Sequence, residues 1–238
     1  MCTATWWRPD AELANSYSFL FNRDESKRRG LAEPPAKQVT VSGTRFIAPR
    51  DSDRGGTWLL ANERGLTLAI LNHYAASHQA PEMEARSRGD IPLLLADCAS
   101  TNDVDTRMEP LSLTEFRPFF LLSLSPEGGP RLHEWNGIEL TLKNSVSPPF
   151  TTSSFKSQQV IQYRIDQYRH MVPSTDGETG LEEYHRFMHA SEGALGVRMR
   201  RPDAQTVSFS RITVNEEQIR FDYRPDPPES LEILEEST

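Results

Sequence analysis

The chain has 238 residues with 26 Lys+Arg against 34 Asp+Glu, a formal charge of −8, and two cysteines, Cys2 and Cys98. That length suits one large domain able to bury most of its apolar surface without a disulfide or metal staple. The acidic balance argues against a nucleic-acid or anionic-membrane partner, and so sparse a cysteine content suits a reducing cytoplasm. No basic-then-apolar leader opens the sequence, and Leu66–Leu71 and Ile91–Ala96 are too short to span a bilayer. The expectation is a cytoplasmic protein with no membrane span.

In chain order, Thr3–Trp7 and Tyr17–Asn22 read as short strands of a hairpin. Asp24–Pro35 and Arg50–Gly56 read as polar loops. Thr57–Ala61 and Leu66–Asn72 are apolar runs joined by Asn62-Glu63-Arg64-Gly65, a strong hairpin signal. A helix is expected over Ile91–Cys98, with Asp90 as N-cap and Pro92 in the first turn. Leu111–Phe116 reads as a second short helix, and Phe119–Leu124, Arg131–Trp135 and Glu139–Lys143 as strands around the turns at 126–130 and Asn136-Gly137.

Ser145–Ser154 reads as a Ser/Pro/Thr loop before helices at Phe155–His170 and Gly180–Ser191, the latter preceded by a loop over Pro173–Thr179. Gly196–Arg200, Thr206–Val214 and Gln218–Tyr223 read as strands, and the acidic, proline-containing stretch 225–238 as a poorly ordered tail to a domain over 1–224. Strands, then helices, then strands, without alternating βαβ units, predict an α+β layered domain.

No phosphate loop, Cys-x-x-Cys or His-Glu-x-x-His motif is present. Gly55-Gly56 and Gly128-Gly129 read as turn glycines. His185 and His189, four apart on a helix, have metal-ligand spacing but no third ligand in sequence, and an ordinary histidine pair is the better reading. The remaining constellation is Cys2, Arg23, Asp24, Asn72 and Asn144. A cysteine behind the initiator methionine is exposed when Met1 is removed, and its own α-amine is then a base within reach. A cation such as Arg23 favours a thiolate, and Asp24 or Glu25 would orient the amine. Asn72 and Asn144, at strand ends, are suited to donating to an oxyanion, although an asparagine there is ordinarily only a strand end.

These residues resemble the NRDE family, also called the transport and Golgi organisation protein 2 family. The resemblance rests on Met1-Cys2, Asn22-Arg23-Asp24-Glu25, and Gly55-Gly56-Thr57-Trp58-Leu59 through Arg64-Gly65 to Asn72. Ser87-Arg88-Gly89-Asp90 and Lys143-Asn144-Ser145 agree more loosely. It implies an amino-terminal-nucleophile hydrolase fold, a four-layer αββα sandwich similar to the choloylglycine hydrolase and acid ceramidase group. In that group an amino-terminal cysteine attacks an amide carbonyl with an arginine and an aspartate close behind it. Asn62-Glu63-Arg64-Gly65-Leu66 leading to Asn72 matches the hairpin whose following asparagine helps to form the oxyanion hole. Asn144 resembles the later asparagine. Two departures stand out. Arg23 and Asp24 are adjacent, where the hydrolases separate them by two residues, so the acid meeting the amine is open between Asp24 and Glu25. Gln205-Thr206-Val207 occupies the place of a Gly-Thr-Arg motif, leaving Arg200 and Arg211 as substitutes for the missing arginine.

Two readings follow. One is a cysteine amidohydrolase cleaving a linear amide of a small acylated amine, with no metal or cofactor. The other is a non-catalytic protein binding a lipid-like or haem-like ligand, its pocket lined by Trp6, Trp7, Trp58, Phe19 and Phe21. These aromatics are more often core.

Overall fold

Residues Tyr17, Phe19 and Phe21 alternate with Ser18, Leu20 and Asn22, and that period of two sets the architecture. The aromatic members face a second sheet, while the others face helices. The computed structural model describes residues 1–9, 15–79, 85–172, 177–226 and 232–237, of which 77–79 and 232–237 are described by backbone only.

Two antiparallel sheets result. One has the order β10-β1-β2-β11-β12-β13, from β1 (Cys2–Trp7), β2 (Tyr17–Ser26), β10 (Phe150–Thr152), β11 (Ala204–Val214), β12 (Gln218–Pro225) and β13 (Glu232–Ser237). The other runs β3-β4-β5-β6-β7-β8-β9, from β3 (Glu33–Val39), β4 (Arg45–Arg50), β5 (Leu59–Asn62), β6 (Thr67–Asn72), β7 (Phe119–Leu124), β8 (Arg131–Trp135) and β9 (Leu140–Lys143). Their inner faces share one core, to which Phe19, Phe21 and Ile212 contribute from the first sheet and Leu59, Ala69 and Leu122 from the second. Helices α3 (Ser157–Met171) and α4 (Gly177–Arg186) cover the first sheet, and α1 (Asp90–Leu94) and α2 (Thr101–Met108) the second. The expected four-layer αββα sandwich is the observed one. Among the described residues, no helix is long and apolar enough to cross a membrane.

The hairpin β5–β6 forms as expected, with Gly65 at φ 74° closing it and Asn62 Oδ1 accepting from the N–H of Arg64 and of Leu66. Several expected elements differ. The stretch 24–35 is not one loop, because β2 runs on to Ser26 and β3 begins at Glu33. Leu111–Phe116 is a turn rather than a helix, and the helix of that region is α2, capped by Ser100 Oγ accepting from Asp103 N–H. Helix α1 is shorter than Ile91–Cys98 and starts at Asp90, with Gly89 rather than Asp90 in the cap position. The Ser145–Ser154 segment contains β10, recruited to the edge beside β1. Helix α4 begins before Gly180 and ends at Arg186, and Gly196–Arg200 forms only an isolated bridge at Arg200. Part of the expected loop Pro173–Thr179 lies outside the described residues. Within the expected tail, β13 pairs along β12. Hydrogen-bonding partners in the neighbouring strands override weak local signals at β10 and β13.

Candidate active site

Strand alternation sorts the candidate residues onto the two faces of one sheet. Cys2 pairs directly with Arg23 on β2 and with Thr152 on β10. Cys2, Ala4 and Trp6 face the core, and so do Tyr17, Phe19, Phe21 and finally Arg23. Arg23 thus continues an aromatic stripe to the point where the two sheets part. There a cleft of about 360 Å³ opens, with Cys2, Arg23, Trp58, Asn72 and Arg88 in its wall.

Arg23 is held on three sides. Its guanidinium lies 3.9 Å from the Trp58 ring centroid, and Nη2 reaches Asp51 at 3.2 Å and Glu25 at 3.4 Å. Arg29 binds the same two carboxylates, at 2.6 Å to Asp51 and 3.2 Å to Glu25. Glu25 is therefore part of the Arg23–Arg29 network.

Asp24 faces the helices instead. Its Oδ1 accepts from Thr206 Oγ1 at 2.6 Å, and Oδ2 lies 3.6 Å from Arg164 Nη2. Burial pushes the Asp24 carboxyl above its ordinary value, opposed by Arg164 and by the positive amino terminus. Of the two acids left open by the sequence, Asp24 lies within electrostatic reach of the terminus, whereas Glu25 is held by Arg23 and Arg29. The hydroxyl of Thr206 reaches Asp24 because the β2–β11 register shifts between Thr206 and Ser208. That bulge leaves Thr206 opposite Asp24 and Ser208 opposite Arg23.

Met1 continues β1 by one residue. Asp24 N–H donates to the Met1 carbonyl at 3.0 Å, and the terminal amine donates to Tyr74 Oη at 2.8 Å. Asn72 Nδ2 donates to the same Tyr74 oxygen at 2.9 Å. The Met1 side chain is buried, its sulfur accepting from Ser153 Oγ at 2.8 Å. Burial pushes the Cys2 thiol above its ordinary value; the positive terminus opposes this and Asp24 adds to it.

The structure thus brings together Cys2, Arg23, Asp24 and Asn72. It does not bring Asn144, which is exposed just beyond β9, the edge strand of the other sheet, and does not line the cleft. The residue directly across from Cys2 on β10 is Thr152. Arg200 and Arg211 are also elsewhere: Arg211 pairs with Asp222 and Glu182, and Arg200 lies 4.0 Å from Asp226.

The buried arginine behind the terminus is Arg164, on α3 and fully shielded from solvent. It donates to Thr3 Oγ1 at 2.9 Å, Thr151 Oγ1 at 3.2 Å and the Gly196 carbonyl at 2.7 Å. Sequence reasoning missed it, because an arginine four residues after Val160 reads as solvent-facing until the helix docks and buries both side chains.

Of the aromatic candidates, only Trp58 lines the cleft; Trp6, Phe19 and Phe21 stack on one another in the core, and Trp7 borders a depression beside α4. His185 is structural. Its ring bridges Thr5 Oγ1 at 2.8 Å and Asn22 Oδ1 at 3.0 Å, and burial pushes it down to about 3. His189 accepts from the backbone N–H of Ser191 and Glu192. Among the described residues, no group of three or more His, Cys, Asp or Glu is placed to hold a metal ion.

Known structures share this arrangement of layers. Penicillin V acylase from Agrobacterium tumefaciens superposes with a TM-score of 0.55 at 12% identity, covering 100% of this chain and 86% of that one. A mutant conjugated bile acid hydrolase from Clostridium perfringens gives 0.59 at 12% identity, covering 98% and 92%. The Caenorhabditis elegans ortholog of N-acylethanolamine-hydrolyzing acid amidase gives 0.56 at 8%, covering 89% and 92%. At such identities the likeness is one of fold. No curated protein sequence matches significantly. The family model described as Transport and Golgi organisation 2 matches residues 1–159, which take in the Cys2 strand, the Asn22–Glu25 segment, the β5–β6 hairpin and β10. The chain belongs to the Transport and Golgi organisation 2 family, built on an amino-terminal-nucleophile hydrolase fold.

Proposed function

We propose that the chain, once Met1 is removed, is an amino-terminal cysteine hydrolase acting on a linear amide of a small acylated substrate. The observation that carries this reading is the position of Cys2: first on β1, facing the cleft, directly opposite Arg23 and one ladder step from Asp24. In the proposed reaction the Cys2 thiol passes its proton to its own α-amine, and sulfur bonds to the carbonyl carbon. Asn72 Nδ2 donates to the resulting oxyanion. The carbon–nitrogen bond then breaks and the amine leaves with the proton. Water attacks the thioester, releasing the carboxylic acid and restoring the thiol. Arg23 favours the thiolate electrostatically, and Asp24, backed by Arg164, holds the α-ammonium.

Met1 stands in the way of every step. Its carbonyl occupies the Asp24 N–H, its amine the Tyr74 hydroxyl, and its side chain is buried. Excision therefore has to precede folding. Of the structures named above, the Caenorhabditis elegans protein is an ortholog of an amidase that hydrolyses N-acylethanolamines, which supports the substrate class.

The test uses a chain with no amino-terminal tag. Intact mass should show loss of Met1. Iodoacetamide should then modify Cys2 well ahead of Cys98, whose thiol burial pushes up to about 11. Cys2→Ala should abolish amide cleavage, and Asn72→Ala should lower it by about 10²–10³. Retention of Met1, or equal labelling of the two thiols, would sink the mechanism.

A further inference from the structure

The cleft differs in charge from the molecule around it. Six arginines line it against three carboxylates, in a chain whose formal charge is −8. Arg23 and Arg29 are committed to Glu25 and Asp51, and Arg86 pairs with Asp90 and Glu115.

Arg88 and Arg117 are different. Among the described residues, no carboxylate lies within ion-pair distance of either. Arg88 Nη1 donates to the Pro118 carbonyl at 3.1 Å, which leaves the rest of its donor fork unused. Arg88 is half-buried, and Arg117, one residue before that carbonyl, is near enough to repel it. Burial and this repulsion both pull Arg88 below its ordinary value. Two guanidinium groups lining one cleft and repelling each other are unfavourable when the cleft is empty, and become favourable around a shared anion. Arg88 also lies within electrostatic reach of both Tyr74 and the Cys2 thiol. An anion on this pair would therefore belong to the same small molecule whose carbonyl rests at Cys2.

We propose that Arg88 and Arg117 form an anion subsite, so that the cleft takes an acyl compound bearing a carboxylate or a phosphate. This rests on the reading above only in placing the acyl group at Cys2; binding itself needs no cleavage.

The experiment is calorimetric titration of the Cys2→Ala chain at about 0.15 M salt. The probes are N-hexanoylglycine, N-hexanoylethanolamine phosphate and the neutral N-hexanoylethanolamine. At least one charged probe should bind roughly tenfold or more tightly than the neutral one. Arg88→Gln and Arg117→Gln should each remove that advantage and leave the neutral probe unchanged. The tighter of the two charged probes identifies the anion. If no probe binds, if the neutral probe binds as well as the charged ones, or if the Gln variants leave charged-probe affinity unaltered, the proposal is overturned. Arg117 is exposed, so its variant carries the test even where Arg88→Gln fails to fold. The same probes given to the processed wild-type chain separate the two ideas. Charge-selective binding without cleavage refutes the hydrolase and keeps the subsite, whereas equal cleavage of neutral and charged amides does the reverse.

Discussion

At the scale of single residues, the arrangement depends on a charge that the chain hides. Arg164 has no exposed surface, yet it joins Thr3 on β1, Thr151 on β10 and the Gly196 carbonyl, and faces Asp24. Removing one partner of such a pair leaves the other charge desolvated, and here it would also strip the Gly196 carbonyl of its donor, while Thr3 and Thr151 keep each other. Arg164→Met should therefore cost about 3–5 kcal/mol, read as a fall in the urea midpoint at constant m-value. Asp24→Asn keeps the shape and the Thr206 contact while removing the negative charge. It too leaves Arg164 without its counter-charge, so it should destabilise the fold by a similar amount, and by weakening the hold on the α-ammonium it should lower amide cleavage even at temperatures where the variant is fully folded. Cys2, Arg23, Asp24 and Asn72 were legible in the sequence because their spacing sits in short, ordered motifs. Arg164 and Thr152 were not, because each reaches the site through pairing with residues about 150 positions away.

Between elements, the cleft wall depends on two backbones touching. Thr57 N–H donates to the Gly89 carbonyl at 2.9 Å, and a Cβ on Gly56 would lie 2.6 Å from the Gly89 carbonyl carbon. Gly55 and Gly56, expected as a pair of turn glycines, serve different ends. Gly55 has φ 74° and serves the turn, whereas Gly56 is small so that the loop before β5 can meet the start of α1. Gly56→Ala should cost about 1–3 kcal/mol through overpacking. Gly129→Ala is the control: nothing lies within 4 Å of its added Cβ, and it should be close to neutral. Equal midpoints for the two variants would refute this account of the wall. The same limit applies to strands. Hairpins with their own turn signals, such as β5–β6 and β11–β12, announce themselves locally. β10 gains its hydrogen bonds from β1 at the start of the chain and β13 from the edge of β12, and neither carries a comparable local pattern.

For the molecule as a whole, the layers are tied by buried polar bridges, and these make stability depend on pH. His185 on α4 reaches through the helix layer to Thr5 on β1 and Asn22 on β2, and stays neutral with its ring pushed down to about 3. His133 on β8 is likewise pushed down, to about 4, by burial and by Arg131. In both cases the folded value lies below the unfolded one near 6.5. Above that pH neither form takes the proton and the stability is fully present. As the pH falls below it the unfolded chain binds protons that the native chain refuses, so stability drops by up to about 1.4 kcal/mol per unit for each histidine. Between pH 7.5 and 5 that amounts to about 2 kcal/mol each. Asp24, raised by burial, works in the opposite sense at the acid end, so the total curve is a sum and a variant is needed to isolate one group. His185→Gln should be less stable than the parent at pH 7.5, having lost one bridge, but should lose about 2 kcal/mol less on going to pH 5. Urea titrations of both proteins at the two pH values give the four free energies required. If the variant's decline equals the parent's, His185 is not held neutral between the helix layer and the sheet.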